Sequence, residues 1–348
     1  MHTNTFDSES FLGDTIRTDS LSSSTEVSEP TGTDKTSWIE PGYEGKIDYR
    51  IRQLSYSSML TLHSCPRKFQ LYRLRTTYRA PETDKSSITF AFGHVVGEAI
   101  QLAIEDKSES EIIWKMFLGW HTDLFAEDPK LNKSFFGAVI ALKRFLALRE
   151  SGFLKEYDLV YYNGKPACEL SFSVIFPDGF RLRGFVDAVL RHRDTGKVIV
   201  LEVKTTGSAT VNPATYKNSA QAIGYSIVLD SIFPDLSSYE VLYLIYHTKT
   251  GEYLPLPFQK TYLQRALWIR ELLLDIETIK MYEEAEVYPM HGESCYSFFR
   301  ECEYLNVCQL STEYLTKPCT ADQEDSTAYQ ITLTLDDLLT TQLAKAEM

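Results

Sequence analysis

The stretch from Lys197 to Thr205 constrains this chain most. It reads KVIVLEVKT and follows a turn signal, DTG, at 194–196. A continuous apolar run rich in β-branched residues and bounded by turn residues marks a central strand covered on both faces. A lone charge is costly there unless it is paired or holds a metal. Glu202 and Lys204 stand two apart, so on a strand they share a face while Val203 points to the other. Glu-x-Lys on most strands marks a solvated face. The apolar run around this one argues against that reading. The preceding β-rich segment carries GFVD at 184–187, which sets Asp187 beside Glu202 across a short turn. Two carboxylates and the Val203 carbonyl make a hard oxygen site suited to Mg²⁺ or Mn²⁺.

The rest of the 348 residues predicts a mixed α/β domain between two acidic tails. Residues 1–45 are rich in Ser, Thr, Asp and Glu without apolar period and predict a disordered tail. Residues 312–348 predict a second acidic tail, in which YQITLTLDDLLTTQLAKA has the pattern of a short strand or helix. Net charge is −13, of which residues 1–47 carry −6 and residues 309–348 carry −5. The middle is therefore nearly neutral and has room for a local basic groove. Within 46–311, helices are expected over 55–76, 90–106, 110–126, 133–151, 214–230 and 259–285. Strands are expected over 167–176, 180–192, 197–205 and 239–248. That order implies a central mixed sheet flanked by helices.

No apolar run approaches the ~18 residues of a membrane span. The start, MHTNTFDSES, lacks a basic segment followed by an apolar one, so no secretory signal is expected. A cytosolic setting follows, where the six cysteines are read as thiols or metal ligands rather than disulfides.

Just after the central strand, Gln221 and Tyr225 lie i and i+4 on one helix face. They are either a surface pair or a support for the carboxylate site. Asp187, Glu202-x-Lys204 and Gln221-x-x-x-Tyr225 together resemble the PD-(D/E)XK nuclease superfamily, in particular its RecB-like exonuclease branch, which includes phage-encoded and CRISPR-associated iron–sulfur nucleases. The segment LSYSSMLTLHSCPRKF is similar to that branch's N-terminal element, and the resemblance spans about 52–310. It implies a restriction-endonuclease-like α/β core. It also implies metal-dependent DNA cleavage at ends or single strands, in recombination or repair, with a recombination or helicase protein as partner. The setting implied is the cytoplasm of a bacterial or phage-infected cell. Asp187, Glu202, Lys204, Gln221 and Tyr225 would be catalytic, with Gln221 supporting the metal site and Tyr225 lining the DNA path. The alternatives are a nuclease-like DNA-binding scaffold and a structure-specific endonuclease. One departure stands out. The branch often shows G-x-x-x-H-x-x-x-E on its first core helix, and here Gly97 and Gln101 follow Gly93 at those places. One metal ligand is thereby missing, and neither His94 nor Glu98 has the same helical phase.

The cysteines extend the resemblance. Cys65 stands far upstream of Cys295, Cys302 and Cys308, as in nucleases whose 4Fe–4S cluster staples the two ends of the domain. Four thiolates suit that cluster or structural zinc, although the gap from Cys295 to Cys302 is wide for the branch. Incidental thiols are the plainer reading. Cys168 is expected in the core, and Cys319 falls in the tail. In RKFQLYRLRTTYR, Arg67, Lys68, Arg73 and Arg75 interleave with Tyr72. This is either a nucleic-acid contact surface, with cations on phosphates and rings on bases, or an amphipathic helix with a solvated basic face.

Overall fold

The computed structural model describes residues 51–73, 88–120, 132–208, 210–236, 238–297, 300–310 and 329–346. One sheet organises them. Its strands are β1 (Gln53–Leu54), β2 (Tyr157–Leu159), β3 (Cys168–Ile175), β4 (Arg181–His192), β5 (Val198–Thr206), β6 (Ser238–His247), β7 (Glu252–Thr261) and β8 (Ile331–Thr334). They lie in the order β8-β3-β4-β5-β6-β7, with β1 and β2 also pairing with β4. β3, β4 and β5 form an antiparallel meander, β6 joins parallel to β5, and β7 returns antiparallel at the edge. The mixed sheet expected from the sequence is present.

Helices cover both faces. On one side pack α1 (Tyr56–Ser64), α7 (Ala220–Ile232), α8 (Tyr262–Glu284) and α9 (Leu335–Ala346). On the other pack α3 (Ile88–Ile104), α4 (Glu109–Gly119) and α5 (Phe135–Glu150). Helices α2 (Pro66–Arg73) and α6 (Pro213–Lys217) are short connectors. The run that opened the sequence reading is covered as it requires. Val198 and Val200 enter the first core, and Ile199 and Leu201 the second. Each fully buried side chain of this size contributes roughly 1.5–3 kcal/mol.

Local chemistry sets several boundaries. Ser55 caps α1 reciprocally: its hydroxyl accepts from Ser58 N, and its own N–H donates to Ser58 Oγ. Cys65 is extended (φ −160°, ψ 107°) because it precedes Pro66, and this breaks the expected 55–76 helix into α1 and α2. The expected 214–230 helix is likewise split, at Asn218 and Ser219, between α6 and α7.

Two expectations need correction. Residues 252–261, part of them assigned to a helix, form β7. Pro255 and Pro257 hide it from a propensity reading, yet both are tolerated on an edge strand that has no outer partner among the described residues. The capping box of Thr261 with Gln264 then starts α8. The second correction concerns the C-terminal tail. Its described part, 329–346, belongs to the fold: β8 pairs parallel with β3 from Phe172 to Ile175, and α9 docks through a buried polar cluster. The amino-terminal tail expected over 1–45 lies outside the described residues.

That cluster centres on Asp230. Its carboxylate accepts from Arg265, from Tyr262 OH at 2.7 Å and from Lys345 Nζ at 2.9 Å. Lys345 also donates to Leu236 O at 2.5 Å, and the Arg265 side chain is 0% exposed. Removing one member of a buried ionic set strands the others without countercharge. Asp230→Ala is therefore expected to cost about 3–5 kcal/mol in denaturant unfolding. Lys345→Met, which leaves the Asp230–Arg265 pair intact, is expected to cost clearly less.

Candidate active site

The sheet opens where its acidic residues meet. Strand β4 pairs with β5 from Arg191↔Val198 up to Ala188↔Leu201, and the ladder stops there. The next register position would pair Asp187 with Glu202. Instead the Asp187 carboxylate Oδ2 accepts from Val203 N at 2.9 Å. A side chain has replaced a backbone partner, and the two strands fork.

Strict alternation also fails at this level. Val186 and Val189, an odd number of residues apart, both enter the first core, while Ala188 enters the second. The partner strand flips at the same height. Leu170 belongs to the first core, Cys168 packs against the second, and Glu169 between them has φ +48°. A left-handed residue reverses which face the chain presents and is costly for anything but glycine. The flip sets Glu169 at the register position facing Asp187, between the pairs Cys168↔Ala188 and Leu170↔Val186.

Glu202 is 1% exposed. Lys204 Nζ stands 2.5 Å from its Oε1, and the Tyr225 hydroxyl donates to its Oε2. Gln221 Oε1 lies 3.5 Å from the same ammonium. Helix α7 therefore delivers Gln221 and Tyr225 together, one helical turn apart, onto the Glu-x-Lys strand. The hydroxyl of Tyr225 is spent on Glu202, while its ring is buried at the edge of the cleft beside Lys204. Burial pushes the Tyr225 phenol well above its ordinary range, and the neighbouring Glu202 adds to this. At Lys204 burial pulls the pKa down, but Glu202, by charge and hydrogen bond, and then Asp187 outweigh it, and the group stays a firm cation. Asp187 is raised to about 8, first by burial and then by the Glu202 charge, against the stabilising Val203 N–H.

Helix α3 runs close behind β5. A Cβ on Gly93 would stand 3.3 Å from Thr205 Oγ1, whereas one on Gly97 would meet nothing within 4 Å. The place expected to carry a histidine is thus open space. His94 is exposed, and the Glu98 carboxylate lies toward Gly119 at the end of α4, so neither fills that role. Gln101 is buried and donates its amide to Glu169 Oε1 at 2.8 Å. Sequence reasoning passed over Glu169, since only the backbone flip brings it to the site. Among the described residues, no three His, Cys, Asp or Glu side chains converge at metal-holding distance.

The four cysteines expected to hold a cluster lie near one another, but no three of them stand at metal-holding distance. The Cys308 thiol is raised by burial and then by Cys295 and Cys302, with Arg67 opposing and Cys65 adding a little. Cys302 N donates to Cys295 O at 2.8 Å, and Ser294 Oγ donates to Ser64 O at 2.6 Å, which ties this segment to the end of α1. Arg67 corrects an expectation. It is buried and donates to the carbonyls of Cys308 and Leu310 at 2.9 and 2.5 Å, so it holds chain ends together and presents nothing to a phosphate. Lys68 is half-buried, Tyr72 is exposed, and Arg73 and Tyr72 line a cleft beside Lys204. Arg75 and Cys319 lie outside the described residues. Burial and then Glu105 push the Cys168 thiol to about 12, which makes it an inert core group.

An aspartate ionises near ~3.9 in an unfolded chain. Held at about 8 in the fold, Asp187 favours the folded state only while protonated. The metal-free protein should therefore lose stability relative to Asp187→Asn as pH climbs from about 4 through about 8. Melting both proteins in chelator across that range checks this. A constant difference between them would mean that the carboxylate is not held in its neutral form.

Comparison with known proteins follows this geometry. No curated protein matches the chain. The solved structure described as "Crystal structure of SSO0001" is similar at 15% identity and a TM-score of 0.29, covering 74% of this chain and 98% of that one. A family model for the PD-(D/E)XK nuclease superfamily matches residues 53–309, which contain the forked strands, the Glu-x-Lys pair and the cysteine segment. The chain belongs to the PD-(D/E)XK nuclease superfamily.

Proposed function

We propose that this protein is a Mg²⁺- or Mn²⁺-dependent deoxyribonuclease acting as an exonuclease on DNA ends or single strands. The observation that supports it most is the buried Glu202 carboxylate, locked between Lys204 and Tyr225 at a strand fork with Asp187. A buried carboxylate forced beside a half-buried one calls for a cation, and their oxygens suit a hard divalent ion. Asp187, Glu202 and the Val203 carbonyl would hold it, with water and phosphate oxygens filling the remaining positions. Bound there, the ion supplies Lewis acidity and makes a water more acidic.

The chain's own groups do the rest. Tyr225 fixes the orientation of Glu202, and Gln221 limits the wandering of Lys204. The Lys204 ammonium orients the attacking water or neutralises charge on the phosphoryl oxygens. Attack forms one new P–O bond and breaks the bond to the leaving sugar oxygen, which takes up a proton. Recombination or repair of DNA, with a helicase or recombination protein as partner, is the setting that fits such an activity. No helix among the described residues is long and apolar enough to cross a membrane.

Incubating end-labelled linear and closed circular DNA with Mg²⁺, Mn²⁺ or chelator tests this. Loss of linear DNA alone, requiring metal and reduced by about 10²-fold or more in Lys204→Ala, is the expected result. Cutting of circles would make it an endonuclease. Binding without cutting would favour the second reading, a nuclease-like DNA-binding scaffold, which the open position at Gly97 and the amide at Gln101 favour.

We read Cys65, Cys295, Cys302 and Cys308, which lie near one another although no three of them stand at metal-holding distance, as the ligands of a structural 4Fe–4S cluster, with zinc as the competing occupant. All four are free thiols of intermediate exposure, and Cys308 and Cys65 lie beside the buried Arg67 cation, a donor set suited to an anionic thiolate centre. Iron, sulfide and zinc analysis of anaerobically purified protein decides between them. Cys302→Ser is expected to lower metal content and melting temperature together. Unchanged values for both would remove the cluster.

A further inference from the structure

We infer that the cleft beside Lys204 is a nucleobase pocket, which receives one unstacked base of a single DNA strand next to the phosphate being cut. This deepens the nuclease reading and rests on it. The cleft encloses about 760 Å³ and is lined by Lys204 and Tyr225, which both hold Glu202, and by Gln221, so it borders the carboxylate site. Its volume suits a ligand of one or two nucleotides.

Its walls are aromatic. Tyr56 from α1, Tyr72 from α2, Phe185 from β4 and Trp268 from α8 all line it. Phe185 is 51% exposed and Tyr72 46% exposed. Large rings left open to water next to a polar site offer faces for stacking, and every base has a face to offer in return. Phe185 stands two residues before Asp187 on the same strand, which places its ring within a nucleotide's reach of the carboxylates.

Two glycines shape the space. A Cβ on Gly184 would stand 2.7 Å from the Phe172 ring, which now lies over bare backbone in the cleft lining. A Cβ on Gly224 would touch the Trp268 ring at 3.5 Å, so that ring is already seated against α7. Two of its rings, Phe172 and Trp268, are thus seated against bare backbone.

Charge is divided between the walls. The sheet contributes the cations Arg183 and Lys204 and α2 contributes Arg73, while α8 contributes the carboxylates Glu271 and Asp275. Asp275 is bound to His63 Nε2 at 2.9 Å. A strand lying with its phosphates toward the sheet directs its bases toward the rings and carboxylates. A carboxylate can accept from the exocyclic amine of a base but repels a phosphate. Paired duplex offers this cleft no free ring face, so single strands or frayed ends are the substrate class.

Binding without cleavage tests the pocket. Fluorescence anisotropy of the full-length Lys204→Ala protein in chelator would compare three labelled probes: a single-stranded oligonucleotide, its duplex and an abasic strand of equal length. The single strand is expected to bind about 5- to 100-fold tighter than the abasic strand, the equivalent of one stacked base. Adding Phe185→Leu, which keeps an apolar side chain at an exposed place, should erase most of that difference and leave abasic binding unchanged. A 2-aminopurine at the terminal position should be quenched on binding, and less so in the Phe185→Leu protein. Equal affinity for abasic and normal strands, or no effect of Phe185→Leu with the melting temperature preserved, overturns the pocket. Base-dependent binding in a protein that cuts nothing under any metal sinks the nuclease reading and keeps the pocket. Cutting without base-dependent binding does the reverse.

Discussion

Two carboxylates that repel each other, the buried Glu202 and the half-buried Asp187, are held side by side, and the surrounding structure exists to permit it. Burial and the Glu202 charge raise Asp187 to about 8. Lys204, the Tyr225 hydroxyl and the Val203 N–H offset part of that repulsion from three sides. None of these partners can be lost without leaving a buried charge exposed to its like. The ladder between β4 and β5 ends one residue short of the pair, since continuing it would spend Val203 N on backbone. The fork in the sheet and the charge pair are one feature.

The cleft next to the fork depends on chain segments remote in sequence. Helices α1 and α2 supply its outer wall with Tyr56 and Tyr72. They are anchored by Arg67 to the carbonyls of Cys308 and Leu310, and by Ser294 to the end of α1. The opposite wall stands on α8, which is fixed to α7 and α9 by Arg265, Asp230 and Lys345. A cationic side chain that reads as a phosphate contact is therefore a structural tie.

Legibility followed the range of the interactions. The strands over 168–175, 181–192 and 198–206 were readable because turn residues and β-branched runs act locally. The starts of α1 and α8 were legible in principle from S-x-x-S and T-x-x-Q capping, which closes within one turn. β7 was not, because its prolines are permitted only by its edge position, a fact about the sheet. β8 was legible only as a short strand or helix: four residues carry too little period to decide, and the edge offered by β3 settles it. Arg67 was misread because burial of a guanidinium depends on carbonyls more than 200 residues away.

The amino-acid sequence by itself determined the acidic–basic string, its placement on a strand buried on both faces and the helix that follows with Gln221 and Tyr225 one turn apart. Those features rest on periods of two and 3.6 residues, which any chain obeys before it folds. Only the tertiary structure decided that the sheet forks at Asp187, that Glu169 flips to face it, that Gly97 leaves space where a ligand was expected and that a ring-lined cleft opens beside Lys204. Each of these is set by packing between elements distant along the chain, where no local pattern carries the information.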